Sequence, residues 1–137
     1  MPPRFLDTNP ILRYLTRDDE PKAEQTLALL QRMERGEERV RSNTIVIFEV
    51  VYALQSYYRV PKPRIRELLL PIVSLRGLQL PNKGLLYRAL DLYVERNLPF
   101  ADAYNAVEML SRGESEIYTW DTDFNRIEGV SPVAPGG

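Results

Sequence analysis

Along the chain, short runs of strand character alternate with longer stretches in which apolar residues recur at helical spacing. Phe5-Leu6 reads as the end of a short buried strand. Asp7 stands at its tip, Thr8-Asn9 forms a polar turn, and Pro10 takes the first position of a helix faced by Ile11, Leu12, Tyr14 and Leu15. Asp18-Asp19-Glu20-Pro21 opens a second helix, its two aspartates assigned to capping or solvent. Ala23, Leu27, Leu30 and Met33 carry its period, and Gly36 stops it. Arg39 to Ser42 is a second short strand, and Ser42-Asn43-Thr44 supplies cap residues for a third helix. From Ile45 to Leu54 nine of ten residues are apolar, which predicts a helix buried on most sides. Beyond the linker Val60-Pro61-Lys62-Pro63, a fourth helix carries Ile65, Leu68, Leu69 and Ile72, bent or ended by Pro71. Gly77 to Pro81 is a strand closed by proline. Lys83 to Glu95 is an amphipathic helix with Leu85, Leu86, Ala89, Leu90 and Tyr93 on one face, and Asp91 on the other. A last helix opens at Leu98-Pro99-Phe100-Ala101-Asp102 and runs to about Arg112-Gly113. Ile117 to Thr119 is a strand, and the tail from Val130 holds an edge strand. This alternation predicts a three-layer α/β domain with a short, mostly parallel sheet flanked by helices.

Composition narrows the chemistry. The 137 residues suit one domain with one core; 44% are apolar and 27% charged, as in an ordinary globular protein. No apolar run reaches membrane-spanning length, and the start lacks the layout of a signal peptide. The absence of cysteine removes disulfides and thiolate chemistry and suits a cytoplasmic protein. The absence of histidine removes the Ser-His-Asp, Cys-His and His-metal sites. What remains for metal or acid–base work is carboxylates, lysine, tyrosine and hydroxyls. The net charge of −1 argues against wholesale electrostatic capture of nucleic acid. The basic residues are 15 Arg and 3 Lys, but Arg32, Arg35, Arg39 and Arg41 are interleaved with Glu34, Glu37 and Glu38, as on a solvated helix end.

Against that background the placement of the acids stands out. Ligands of parallel α/β sheets bind at the carboxyl ends of the strands, where Asp7, Asp121 and Asp123 fall. Asp7 there is either a site carboxylate or a helix cap. Asp121 and Asp123 are either a site or an Asx-turn that starts a short helix near Phe124. Asp102 lies in a first helical turn, where the dipole alone favours an acid. Glu49 interrupts the most apolar helix, where a carboxylate is costly unless paired, metal-bound or open to a cleft; the alternatives are an arginine salt bridge or a narrow exposed stripe with Tyr52 or Gln55. Such acids, converging without histidine or cysteine, repel one another and call for a hard divalent cation. One or two such ions suit in-line phosphodiester displacement.

Four segments carry a resemblance that runs nearly end to end: Phe5-Leu6-Asp7-Thr8-Asn9, Ile47-Phe48-Glu49-Val50-Val51-Tyr52-Ala53-Leu54, Phe100-Ala101-Asp102-Ala103, and Tyr118-Thr119-Trp120-Asp121-Thr122-Asp123-Phe124. In their order and spacing the chain resembles the PIN-domain ribonucleases, and more narrowly the VapC-like toxins of type II toxin–antitoxin pairs. The resemblance implies a single PIN domain over 1–137, with an ordered core over about 3–133 and the strand order 3-2-1-4-5. It implies an endoribonuclease that depends on Mg²⁺ or Mn²⁺ and hydrolyses RNA at an acidic quartet of Asp7, Glu49, Asp102 and Asp121. Asp7 and Asp102 would be the most direct metal ligands, and Asp121 a direct or water-mediated one. Glu49 would hold or orient a water on the metal, Asn9 and Thr119 would support by hydrogen bonding, and Asp123 would be an auxiliary acid. It further implies a cytoplasmic homodimer and a small antitoxin protein whose C-terminal segment blocks the site. The residues after Asp102, Ala103-Tyr104-Asn105-Ala106, depart from the family's small and apolar pattern and leave all four acids in place.

Two other readings compete. A phosphatase-like hydrolase would use Asp7 as a covalent nucleophile, but its loop wants a second aspartate where Asn9 stands. It also wants a lysine near the last acidic motif, whereas Lys83 is the last in the chain. A PIN-like module that binds RNA or protein without turnover would carry the same motifs. Tyr57, Tyr58 and Trp120 suit a partner surface, a core or a dimer interface equally.

Overall fold

Parallel strands of two residues cannot be held by their own ladder alone, and in the first part of the chain the helices that follow them supply the rest. The computed structural model describes residues 2–136; both ends of the expected 1–137 span lie outside the described residues. The chain divides into two compact units, Met1–Lys83 and Gly84–Gly137.

In the first unit β1 (Arg4–Phe5), β2 (Val40–Arg41) and β3 (Leu78–Gln79) form a parallel sheet with β2 in the middle. Arg4 pairs with Val40, and Val40 with Leu78. Parallel neighbours need crossovers. They are α1 (Thr8–Thr16) and α2 (Glu20–Glu34) after β1, then α3 (Thr44–Ser56) and α4 (Lys62–Val73) after β2. Hydrogen bonds from Leu6 N to Arg41 O (2.7 Å), from Val40 N to Gly77 O (2.7 Å) and from Ser42 N to Gln79 O (2.9 Å) extend the ladder. Ser42 is fully buried, and its Oγ donates to Leu6 O at 2.9 Å, clipping the end of β1 to that of β2. The Arg41 guanidinium lies 4.7 Å from the centre of the Phe5 ring.

The helix starts follow from local caps. Asp7, in extended backbone, accepts from Thr8 N at 2.7 Å and caps α1. The helix therefore begins at Thr8, and Pro10 is its third residue instead of its first. Nothing is lost there, because the first four N–H groups of a helix have no intrahelical acceptor. Asp19 caps α2 by accepting from Lys22 N at 3.1 Å, and Asn43 caps α3 by accepting from Val46 N at 3.0 Å. Asp18 does more than face solvent. It accepts from the Tyr58 hydroxyl at 2.8 Å and pairs with Arg13 at 3.2 Å, tying the α1–α2 turn to the chain after α3. The Tyr58 hydrogen bond, foremost among its causes, holds the Asp18 carboxyl below the usual carboxylate range. α4 runs through Pro71 to Val73.

In α3 the structure realises one of the alternatives left open by the sequence, a narrow exposed stripe. Val46, Ile47, Val50, Val51 and Leu54 are buried, but Ile45 is 67% and Tyr52 72% exposed, with Glu49 on the same open face. One stripe of this apolar helix is uncovered, so Glu49 does not bear the desolvation cost of a core position.

In the second unit α5 (Lys83–Glu95) and α6 (Phe100–Ser111) precede β4 (Glu116–Tyr118), a 3₁₀ turn (Thr122–Arg126) and β5 (Ser131–Val133). β4 and β5 pair in parallel, Ile117 opposite Pro132. Leu86, Ala89, Leu90 and Tyr93 of α5 and Ala103, Ala106 and Val107 of α6 are buried. The Tyr93 and Phe100 rings meet edge to face at 5.6 Å. Burial pushes the Tyr93 phenol up to about 12. Within each unit the strand orders, 3-2-1 and 4-5, agree with the corresponding parts of the expected 3-2-1-4-5. No helix among the described residues is long and apolar enough to cross a membrane.

Two substitutions test how the strand ends are held. A Cβ on Gly77 would lie 2.8 Å from Met33 O and 2.9 Å from Met33 Cα, and closer still to Glu38 O, all of them backbone atoms. Gly77→Ala is expected to cost about 1–3 kcal/mol by overpacking, read as a lower urea midpoint at unchanged m. Ser42→Ala removes the donor to Leu6 O and is expected to cost about 1–2 kcal/mol by the same measurement. A variant as stable as the parent would show that the contact in question does not constrain the fold.

Candidate metal centre

The second unit gathers three acids from two elements. α6 follows Pro99 without a side-chain cap hydrogen bond, and the acid in its first turn, Asp102, stands at the positive end of its dipole. Asp121 and Asp123 come from the end of β4 and the turn beyond it. Thr119 Oγ1 accepts from Asp121 N at 2.9 Å, and Asp121 Oδ1 accepts from Asp123 N at 2.9 Å. The Asx-turn anticipated from sequence therefore exists, and it fixes the backbone that carries the two carboxylates. One carboxylate oxygen of each of Asp102, Asp121 and Asp123 lies within 4.8 Å of the other two.

Crowding has an electrostatic consequence. The Asp102 carboxyl is held above its ordinary range by partial burial first, then by the Asp121 charge, a hydrogen bond shared with Asp121, and the Asp123 charge. Asp123 is balanced in part by Arg126, whose Nη2 lies 2.6 Å from Asp123 Oδ1. Arg126 also donates through Nη1 to Arg96 O (3.1 Å) and Asn97 O (3.4 Å), bracing the acidic loop against the α5–α6 turn. Sequence reading did not single out Arg126. Its only local sign was an i,i+3 spacing from Asp123, and its carbonyl partners are some thirty residues away. Ser42 was read only as a cap candidate for the same reason, since its partner Leu6 lies 36 residues earlier.

The donor set fits a hard divalent cation. It offers oxygen ligands only, from at least three carboxylates, one of which is raised by partial burial and then by its acidic neighbours. Asp102 and Asp121 are the residues of this set that would hold it, with Asp123 adjacent. Tyr104, after Asp102, is half-buried and Asn105 is exposed. Of the other residues singled out in the sequence, Asp7, Asn9 and Glu49 belong to the first unit and all three are exposed. Asp7 serves as the α1 cap through one oxygen and keeps the other for a further ligand. Glu49 sits on the open stripe of α3 with Tyr52, the arrangement weighed against a site role from sequence. The two readings are compatible, because an exposed carboxylate is available to a ligand. Tyr57 and Trp120 are 78% and 79% exposed, which removes them from the core.

Comparison with known proteins adds a family. A model described as the PIN domain matches residues 4–130. A curated relative, the VapC ribonuclease of Aquifex aeolicus (strain VF5), is 25% identical over 132 residues, 96% of each chain.

The raised Asp102 carboxyl makes a signed prediction. Its folded state holds a proton to higher pH than its unfolded state, so stability falls as pH rises from the usual 3.8 through the raised value and stays lower above it. Without metal, Asp102→Asn is therefore expected to raise Tm by a few degrees near neutral pH. The gain should shrink to nothing below the usual carboxylate pKa. Thermal melts in EDTA across pH check this, and a pH-independent difference would show that repulsion is not its source.

Proposed function

Because the chain belongs to the PIN-domain family, we propose that it is a divalent-metal-dependent endoribonuclease, the toxin of a toxin–antitoxin pair, acting as one domain. The observation that carries this reading is the convergence of Asp102, Asp121 and Asp123, with the Asp102 carboxyl raised by partial burial and by its neighbours. The Aquifex aeolicus relative, whose name is that of a ribonuclease, supports it over nearly the whole length.

In this reading Asp7, Glu49, Asp102 and Asp121 are the acids of the reaction. Asp7, Asp102 and Asp121 are ligands of Mg²⁺ or Mn²⁺, and Glu49 orients the attacking water. When bound, the cation supplies Lewis-acid stabilisation of the phosphate oxygens and a water of lowered pKa. Thr119 holds the Asp121 backbone, Asn9 lies beside Asp7 in the first turn of α1, and Asp123, tethered by Arg126, is an auxiliary acid. Water adds to phosphorus and one ester oxygen leaves with a proton, giving two RNA fragments. The partners are the RNA substrate, a small antitoxin protein that inhibits the site and a second copy of the chain, in the cytoplasm.

The test is cleavage of a panel of structured and single-stranded RNAs in Mn²⁺, Mg²⁺ or EDTA. Fragments are expected with either ion and not in EDTA. Asp102→Asn and Asp7→Asn are each expected to lower the rate by about two orders of magnitude or more. Asparagine is as good a helix cap as aspartate, so Asp7→Asn keeps α1. Mn²⁺ should raise the Tm of the parent and leave that of Asp102→Asn nearly unchanged. Cleavage by either variant at the parent rate would remove that acid from the reaction.

A further inference from the structure

One cleft is not accounted for by acid chemistry. It lies in the first unit where α1 and α3 pack together, has a volume of about 410 Å³, and is lined by Thr8, Leu12, Phe48, Glu49, Tyr52 and Ala53. That volume lies within the range of small-ligand pockets. Phe48 and Tyr52 are one helical turn apart on α3, so their rings share a face, and Glu49 stands between them at the rim. Tyr52 is 72% exposed, so its ring is open to a ligand in the cleft. Thr8, nine-tenths buried, carries a hydroxyl oxygen with no hydrogen-bond partner among the described residues.

We propose that this cleft receives a nucleobase of the RNA, stacked on Tyr52, and so selects where the chain is cut. The inference rests on the ribonuclease reading and deepens it, since Thr8 and Glu49 are neighbours or members of the proposed acid set. Three features favour a base over other occupants. The cleft pairs an aromatic wall with an apolar floor of Leu12 and Ala53, which suits a flat ring and not a sugar or phosphate. Among the described residues that line it the one charge is the Glu49 carboxylate, at the rim, which disfavours a phosphate in the cleft itself. A second copy of the chain is the poorer fit. A two-fold contact through this patch would bring Glu49 towards its own symmetry mate, and would bury a carboxylate without a partner.

The experiment uses the full chain with short single-stranded RNAs varied base by base around the cut, in Mn²⁺. Binding is read in parallel by anisotropy on the 2′-O-methyl form of the best substrate. Tyr52→Ala is expected to raise KM and weaken binding roughly tenfold and to flatten the base preference at one position. Tyr52→Phe should retain both. An abasic nucleotide at that position should weaken parent binding by the same factor and have no further effect on Tyr52→Ala. Tyr52 is exposed, so equal melting temperatures will exclude a folding defect. The inference is overturned if Tyr52→Ala cuts and binds as the parent does. It is equally overturned if that variant changes only the sedimentation coefficient, which would assign the cleft to a second copy. A parent protein that neither cuts nor binds any RNA would instead remove the ribonuclease reading, and the base pocket with it.

Discussion

Carboxylates of like charge do not gather without restraint, and much of the second unit is built around that constraint. Asp102 is placed by a helix start that lacks any other cap, so the dipole of α6 offsets part of its charge. Asp121 and Asp123 are placed by a turn in which each link is a backbone N–H: Asp121 N donates to Thr119, and Asp123 N donates to Asp121. Arg126 neutralises one member of the set through Nη2 and donates through Nη1 to two main-chain carbonyls, so it cannot swing across to Asp102 or Asp121 without losing them. Partial burial raises the Asp102 carboxyl, and the residual repulsion from Asp121 and Asp123 raises it further. A structure that only needed to fold would place an amide there.

The first unit solves a different problem, the presentation of acids from very short strands. With two residues in each strand, the ladder is extended by the neighbours on either side, Leu6 to Arg41 and Ser42 to Gln79. The buried hydroxyl of Ser42 reaches the carbonyl of Leu6, the residue immediately before Asp7. The position of Asp7 is thus set twice, by this clip behind it and by its own capping bond to Thr8 N ahead of it. Capping and ligation do not compete, since a carboxylate has more lone pairs than the cap uses.

What could be read in the sequence was what depends on neighbours in the chain. The alternation of elements, the caps Asp19 and Asn43 and the turn at Asp121 all follow from local rules, and all are present. The acids Asp102, Asp121 and Asp123 could be named because no histidine or cysteine competes with them. What could not be read depends on distant partners. Asp18 looked like a surface acid until Tyr58, 40 residues on, is seen to donate to it. Arg126 and Ser42 belong to the same class. The exposed stripe of α3 could be raised only as an alternative for a related reason: composition reports how apolar a helix is, not which side of it the fold leaves uncovered.

That uncovered side bears on function more than on stability. Leaving Ile45 and Tyr52 open forgoes burial that would favour folding by about 25 cal/mol for each Å². A chain of this size has little stability to spare. Covering the stripe with protein would also enclose Glu49, and a carboxylate shut away from solvent and ligand is the costlier arrangement. The open face and the charged residue therefore explain each other: the acid keeps the stripe open, and the open stripe keeps the acid in solvent.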